Sequence, residues 1–240
     1  MFKKLYIDGT DLSEFGVVIS GEGTYNSAQR DVEVFSVEGR NGDLVVDKGR
    51  YHNVTVKYPI SIARKFPENA AALRAFLGSL RGYKRIEDDY HPDYYRLGYF
   101  TGPVEYAVGH LSRFGEATLK FNCKPQRFLI DGETAVSFQE PSHLINHTNE
   151  IALPLITVYG TGPGEVTVGG VTVDILALED QIALDCEIQS AYRKMGDAPP
   201  ENKNGAVAAP TFPSLNPGIN AISWTGEITK VEIIPRWWTL

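Results

Sequence analysis

The chain has 240 residues, 42% hydrophobic and 22% charged, the balance of a soluble globular protein with room for one large domain or two ordinary ones. No apolar run approaches the roughly 18 residues that cross a bilayer, and the opening Met1-Phe2-Lys3-Lys4-Leu5-Tyr6-Ile7-Asp8-Gly9 turns polar too soon for a secretory signal, so the expectation is a chain that folds in a cytoplasm without a membrane partner. The net charge of −7 hides an asymmetry: residues 1–130 carry 18 Lys+Arg against 16 Asp+Glu (+2), and residues 131–240 carry 5 against 14 (−9), which argues for two domains with different surroundings.

The first half reads mainly as strands with one helix. A strand over Leu12–Ile19 follows the Asp8-Gly9 turn. Val32–Val37 runs through Gly39-Arg40-Asn41-Gly42-Asp43 into Leu44-Val45-Val46, and Asn-Gly favours the positive φ angles of a hairpin turn. Val54, Val56, Tyr58, Ile60 and Ile62 alternate with polar neighbours as a half-buried strand; Pro59 cannot donate to a ladder and predicts a sheet edge there. The helix is expected over residues 67–81, with Pro67 in its first turn, Gly82 as its cap and a stripe of Leu73, Phe76, Leu77 and Leu80 packed on its own sheet. Gly115–Asn122 alternates as a closing strand.

Residues 131–150 read as a polar connector. Beyond it, Leu155–Tyr159 is a strand, and Val166 and Val168 face Val171 and Val173 across Gly169-Gly170. Ile182, Leu184 and Cys186 alternate, residues 195–218 read as a long loop, and Ala221–Thr225 and Ile228–Ile234 close the chain as strands. Short strands at this spacing without helices predict a β-sandwich. Cys123 and Cys186, without companions at metal-ligand spacing, are expected free and buried.

The search for chemistry returns little. Gly160-Thr161-Gly162-Pro163-Gly164 lacks the Lys and the following helix of a phosphate loop. Asp88 and Asp89, if extended, point to opposite faces and cannot share a site. His91 and Asp93 around Pro92 have no third partner. Asn53-Val54-Thr55 and Asn146-His147-Thr148 match glycosylation sequons, which carry no weight without a secretory signal. The expectation is no enzyme, no cofactor and no metal. Trp237-Trp238 can anchor the tail or form a platform for a carbohydrate ring; one of the two would face outward on a strand.

Most of the information lies in residues 82–128. Between Gly82 and Phe100 stand six aromatics, four acids and three Arg or Lys. Aromatics and Arg are enriched in protein–protein interfaces, whereas paired Asp88-Asp89 would repel the phosphates of a nucleic acid. In wording the segment resembles the distal tail protein (Dit) family of long-tailed, non-contractile (siphovirus-type) bacteriophages or prophages: a helix, then Gly82-Tyr83-Lys84-Arg85-Ile86-Glu87-Asp88-Asp89, then His91-Pro92-Asp93-Tyr94-Tyr95-Arg96, then a strand ending near Cys123-Lys124-Pro125. The likeness extends to the Gly39–Asp43 hairpin, Tyr51-His52-Asn53-Val54, Leu73–Leu77, Asp185-Cys186-Glu187, the Phe212–Asn220 run and Pro235-Arg236-Trp237.

The resemblance implies a mainly β chain of two domains: a ring-forming N-terminal β-sandwich with one α-helix and a β-hairpin (1–130), and a galectin-like C-terminal β-sandwich (131–240). It implies a hexameric ring, possibly stacked as a dodecamer, at the virion tail tip, assembled in the host cytoplasm. Its partners would be the tail tube protein and the tail-associated fibre-like protein of the baseplate. Arg40, Asn41, Asp43, Tyr90, Tyr94, Tyr95 and Arg96 are the candidate subunit contacts, and Trp237 and Trp238 the candidate contacts to host-wall carbohydrate, the alternative function.

Overall fold

The computed structural model describes residues 3–21, 26–109, 113–196, 198–209 and 211–240, and the chain divides into two compact units, Met1–Arg127 with Leu240, and Phe128–Thr239. In the first unit the strands are β1 (Leu5–Ile7), β2 (Thr10–Asp11), β3 (Val17–Ile19), β4 (Arg30–Phe35), β5 (Leu44–Tyr51), β6 (Val54–Ile62), β7 (Lys84–Asp88), β8 (Tyr94–Phe100), β9 (Ala107–Val108) and β10 (Gly115–Leu129); the helix α1 is Phe66–Ser79. One antiparallel sheet runs in the order β2-β1-β7-β8-β10-β6-β3, with β9 also on β10, while among the described residues β4 and β5 pair only with each other.

The expected alternation of Val54–Ile62 is observed, with Val54, Val56, Tyr58, Ile60 and Ile62 buried. α1 buries Phe66, Ala70, Leu73 and Leu77, and Phe76 stacks on Phe15 at 5.4 Å between ring centroids. The helix stops at Ser79, short of the residue 81 expected from Gly82, because Leu80 is already extended. Two expectations fail for local reasons. Leu12–Ile19 is not one strand: Asp11 Oδ1 accepts from Ser13 N at 2.8 Å and winds Leu12–Phe15 into a 3-10 turn, which Gly16 closes at φ 68°. Pro59 is not at an edge, since β6 lies between β10 and β3. β3 ends at Ile19, so the ladder at Pro59 needs only its carbonyl, which accepts from Ser20 N at 2.9 Å.

The second unit contains β11 (Val136–Phe138), β12 (Ser142–Asn146), β13 (Leu155–Gly160), β14 (Gly164–Val168), β15 (Val171–Ile175), β16 (Gln181–Asp185), β17 (Ser190–Met195), β18 (Ala198–Asn202), β19 (Val207–Ala208), β20 (Gly218–Trp224) and β21 (Ile228–Ile234). The sheets β11-β21-β13-β16-β17-β18 and β12-β20-β14-β15-β19 share one core. Ile156, Val158, Leu184, Val231 and Ile233 of the first meet Val166, Val168, Val173 and Ile222 of the second, which makes a β-sandwich. The Gly169-Gly170 turn pairs Val168 with Val171 and Val166 with Val173 as the sequence implies, both glycines at positive φ.

The "connector" 131–150 supplies β11 and β12, and the "loop" 195–218 contains β18 and β19. These strands are short, and β18 holds Pro199 and Pro200, which a strand tolerates at an edge. Asn146, inside a sequon, is buried: its amide donates to Glu150 O and Leu215 O at 2.9 and 3.0 Å, and its oxygen accepts from Thr148 N at 2.9 Å. Both cysteines are free, and burial pushes Cys123 up to about 11 and Cys186 up to about 12, so both are neutral thiols.

Gly98 on β8 shows how tightly the first core is filled. A Cβ there would stand 2.6 Å from Cys123 Sγ and 2.8 Å from the Ile86 Cδ1 methyl. Gly98→Ala is therefore expected to lower stability by about 1–3 kcal/mol through overpacking. Gly98→Ala with Cys123→Ala should lose less than the sum of the two, as read by denaturant unfolding; simple additivity would refute the overpacking account.

Candidate functional site

Adjacent residues of a strand face opposite ways, and β8 carries two tyrosines in a row, so the β7–β8–β10 region has two different aromatic faces. On one face the register sets Glu87 opposite Tyr95 and Arg85 opposite Leu97. Arg85 lies over the Tyr95 ring, 3.8 Å from its centroid, and pairs with Glu87. Farther along, Tyr83 meets Tyr99 edge to face at 5.3 Å, Lys124 Nζ sits 5.6 Å from the Tyr83 ring, and the Tyr83 hydroxyl accepts from Asn53 Nδ2 at 2.8 Å. Each cation–π contact is worth roughly 0.5–1 kcal/mol at an exposed site. Together they hold the tyrosines in fixed poses, so little side-chain entropy would be left to lose if these rings were covered.

On the other face stand Tyr94 and Arg96. Arg127 lies over the Tyr94 ring at 4.4 Å. Arg96 stands opposite Ile86 in the register and is half-buried. Burial draws its pKa below the ordinary guanidinium value, and the positive charge of Arg127 acts in the same direction. Asp88 is close enough to be felt by Arg96 but is spoken for: its oxygens accept from Tyr58 Oη at 2.8 Å, Tyr90 N at 2.9 Å and His91 N at 3.0 Å. Burial first and the Asp88 charge second raise the Tyr58 pKa, so that hydroxyl stays a donor. Asp89 instead accepts from Lys4 N at 3.0 Å. The two aspartates serve separate structural bonds, and His91 belongs to the Asp88 turn. Tyr90 is part of the same turn, its hydroxyl donating to Gly21 O under Lys3.

Arg40, Asn41 and Asp43 lie far from this strand pair in sequence, at the tip of the β4–β5 arm. Asp43 Oδ1 accepts from Ser36 Oγ at 2.7 Å, and all three residues are exposed. Their sequence signal, a tight polar turn, says nothing of what stands behind them. Val34 pairs with Val45 on one face of the arm and Phe35 with Leu44 on the other. All four are exposed, at 53%, 58%, 45% and 44%, and Val32, Val37 and Val46 are exposed as well. The root of the arm is neutralised by its own ion pairs: Arg30 with Asp47, Lys48 with Glu33 at 3.4 Å, and Arg50 with Asp31 at 2.6 Å. Sequence reading located the hairpin but missed the uncovered valines, because an alternating strand looks the same whether or not its apolar face has a cover.

In the second unit Trp237 is 6% exposed and belongs to the sandwich core. Trp238 is half-buried, and its indole N–H donates to Ile151 O at 2.9 Å. Arg236 fixes this tail with two hydrogen bonds to Asp185, at 2.7 and 3.0 Å. A cleft of about 280 Å³ nearby in the same unit is lined by Gln189, Asn204 and Phe212. Its amides are already used: Gln189 donates to Cys186 O, and Asn204 accepts from Ala191 N.

No protein-family model and no curated protein matches the sequence. Among solved structures, the fold is similar to the crystal structure of the Dit protein (gp 19.1) of SPP1, described as a paradigm of the hub adsorption apparatus in phages infecting Gram-positive bacteria. The TM-score is 0.78 at 12% identity, over 100% of both chains. It is also similar to a chain of the phage P2 baseplate in its activated conformation with calcium, with a TM-score of 0.52 at 11% identity over 97% of this chain and 98% of that one. The strontium form of that baseplate gives 0.53 at 11% identity over the same shares. At such identities the likeness is one of fold.

The Arg236–Asp185 pair gives a direct test of tail anchoring. Burial alone would raise the Asp185 pKa, but the Arg236 hydrogen bonds and charge outweigh it and hold the carboxyl below its usual value. A depressed carboxylate contributes stability that is present above the unfolded pKa of roughly 3.9 and is lost as pH falls through the folded value. Arg236→Gln is expected to cost about 2–3 kcal/mol at pH 7, less than a fully buried pair because Arg236 is partly exposed. The gap to wild type should narrow below about pH 4 in thermal melts followed at several pH values; a gap independent of pH would refute the assignment.

Proposed function

We propose that this chain is a distal tail protein of a siphovirus-type bacteriophage or prophage. In this reading the first unit assembles into a six-fold ring, single or stacked in two. The ring forms the hub between the tail tube protein and the tail-associated fibre-like protein at the virion tail tip. One observation carries the reading: the β4–β5 arm exposes apolar side chains on both faces and, among the described residues, pairs with no other strand. A lone two-stranded hairpin is marginal in water, and each large side chain that an assembly buries is worth roughly 1.5–3 kcal/mol. Such an arm gains its stability from neighbours on either side, as a ring or a stack of rings supplies.

Other features support the same role. The fold matches that of the SPP1 Dit protein over its whole length. The near-neutral first unit suits close packing of copies, and the acidic second unit suits exposure at the periphery. The tyrosines and cations of β7, β8 and β10 offer the residue types of interface hot spots. The function is structural and needs no cofactor. Host-wall carbohydrate is the weaker reading, since Trp237 is enclosed in the core.

Light scattering and negative-stain microscopy of the purified chain are expected to give a hexamer or a double hexamer of ring shape. Val34→Asp with Val45→Asp should leave a folded monomer of unchanged circular dichroism, because both side chains are exposed. A wild-type chain that stays monomeric at every concentration would overturn the hub reading.

A further inference from the structure

Arg96 makes no hydrogen bond or ion pair among the described residues, although it is half-buried beside a second guanidinium, Arg127. Asp88, the nearest acid felt by it, is occupied by Tyr58 and by the turn at Tyr90 and His91. Tyr94 and Arg96 share one face of β8 and Arg127 lies flattened on the Tyr94 ring, so this face carries two guanidiniums whose forks of N–H donors suit a carboxylate. A like-charged pair costs stability unless an anion joins it.

The arm carries the complement. Its acids Asp31, Glu33 and Asp47 are each paired with a cation, and Asp43 accepts from Ser36. Glu38, in the exposed tip between the strands, has no partner among the described residues. Glu14, Glu68, Asp93, Glu105 and Glu116 of the first unit are also exposed without a partner among the described residues, but Glu38 is the one that stands on the apolar arm, beside Arg40.

We propose that Arg96 and Arg127 receive the Glu38 carboxylate of a neighbouring copy of this chain, locking the tip of one arm onto the strand pair of the next. This deepens the ring-hub reading and rests on it. It gives Arg96 a role in assembly and adds Arg127 and Glu38, which the sequence pattern does not single out.

The test is a double-mutant cycle on the full chain, with assembly followed by sedimentation velocity. Glu38→Gln, Arg96→Gln and Arg127→Gln should each raise the concentration for half-assembly by about tenfold or more, the loss expected when one partner of a desolvated pair is removed. Glu38→Gln with Arg96→Gln should cost little more than either alone. Glu38→Arg with Arg96→Glu should assemble better than either single reversal. Wild-type-like assembly of Glu38→Gln, or strictly additive effects, would overturn the proposal, and because Glu38 is exposed this variant cannot fail through misfolding. If the wild type never assembles, the ring reading falls and the cation pair is judged separately. Arginine Nε–H signals of the full chain would be titrated with a hexaglutamate peptide. Shifts of the Arg96 and Arg127 signals support a carboxylate site, and their absence refutes it.

Discussion

A hairpin that is apolar on both faces constrains everything else about this molecule. A strand pair can bury one face on its own sheet or helix, but among the described residues β4 and β5 pair only with each other and leave Val34, Val45, Phe35 and Leu44 exposed. Contiguous exposed apolar patches are a common feature of interaction surfaces. The ion pairs at the arm's root matter for the same reason. They satisfy the charges at the root internally, so that covering the neighbouring Val34, Val45, Phe35 and Leu44 would strand none of those charges unpaired.

The main sheet shows the second half of this logic. Its core is closed, with Leu5, Ile7, Ile60, Ile86 and Phe121 almost fully buried and no room for a side chain at Gly98. Its polar residues therefore cannot be accommodated by loosening the core. They are fixed by stacking instead, with Arg85 on Tyr95 and Arg127 on Tyr94. Stacking orients a guanidinium and holds the ring beneath it in one pose.

Much of the architecture was legible because it depends on strict alternation. Val54–Ile62 and the Val166–Val173 hairpin are strands whose buried side chains recur every second residue, Ile228–Ile234 keeps that alternation from Val231 on, and α1 is a stripe at helical spacing. What was not legible turns on single contacts. The Asp11 cap converts a strand into a 3-10 turn, the end of β3 makes Pro59 harmless inside a sheet, and β18 accommodates two prolines because nothing pairs beyond it. Of the site, Tyr94, Tyr95 and Arg96 could be named from residue type. Their division between two faces, and the meeting of Tyr94 with Arg127 from a strand some thirty positions on, needed the register.

The fold is shared with the SPP1 Dit protein at 12% identity, and the contacts suggest why so little identity suffices. A sandwich core asks for apolar volume at alternating positions, and many combinations of Val, Ile and Leu meet that demand. A few places ask for more. Asn146 and Asn220 are buried and bind the 215–220 backbone to the rest of the sandwich. Asp185 and Arg236 tie the tail so that Trp237 enters the core. Buried polar groups of this kind have few substitutes, because a partner removed leaves a donor or a charge without water. The residues open to change are the exposed ones, and in this chain those include the arm and its Glu38. Such a chain can therefore keep its fold while its exposed surface varies in sequence.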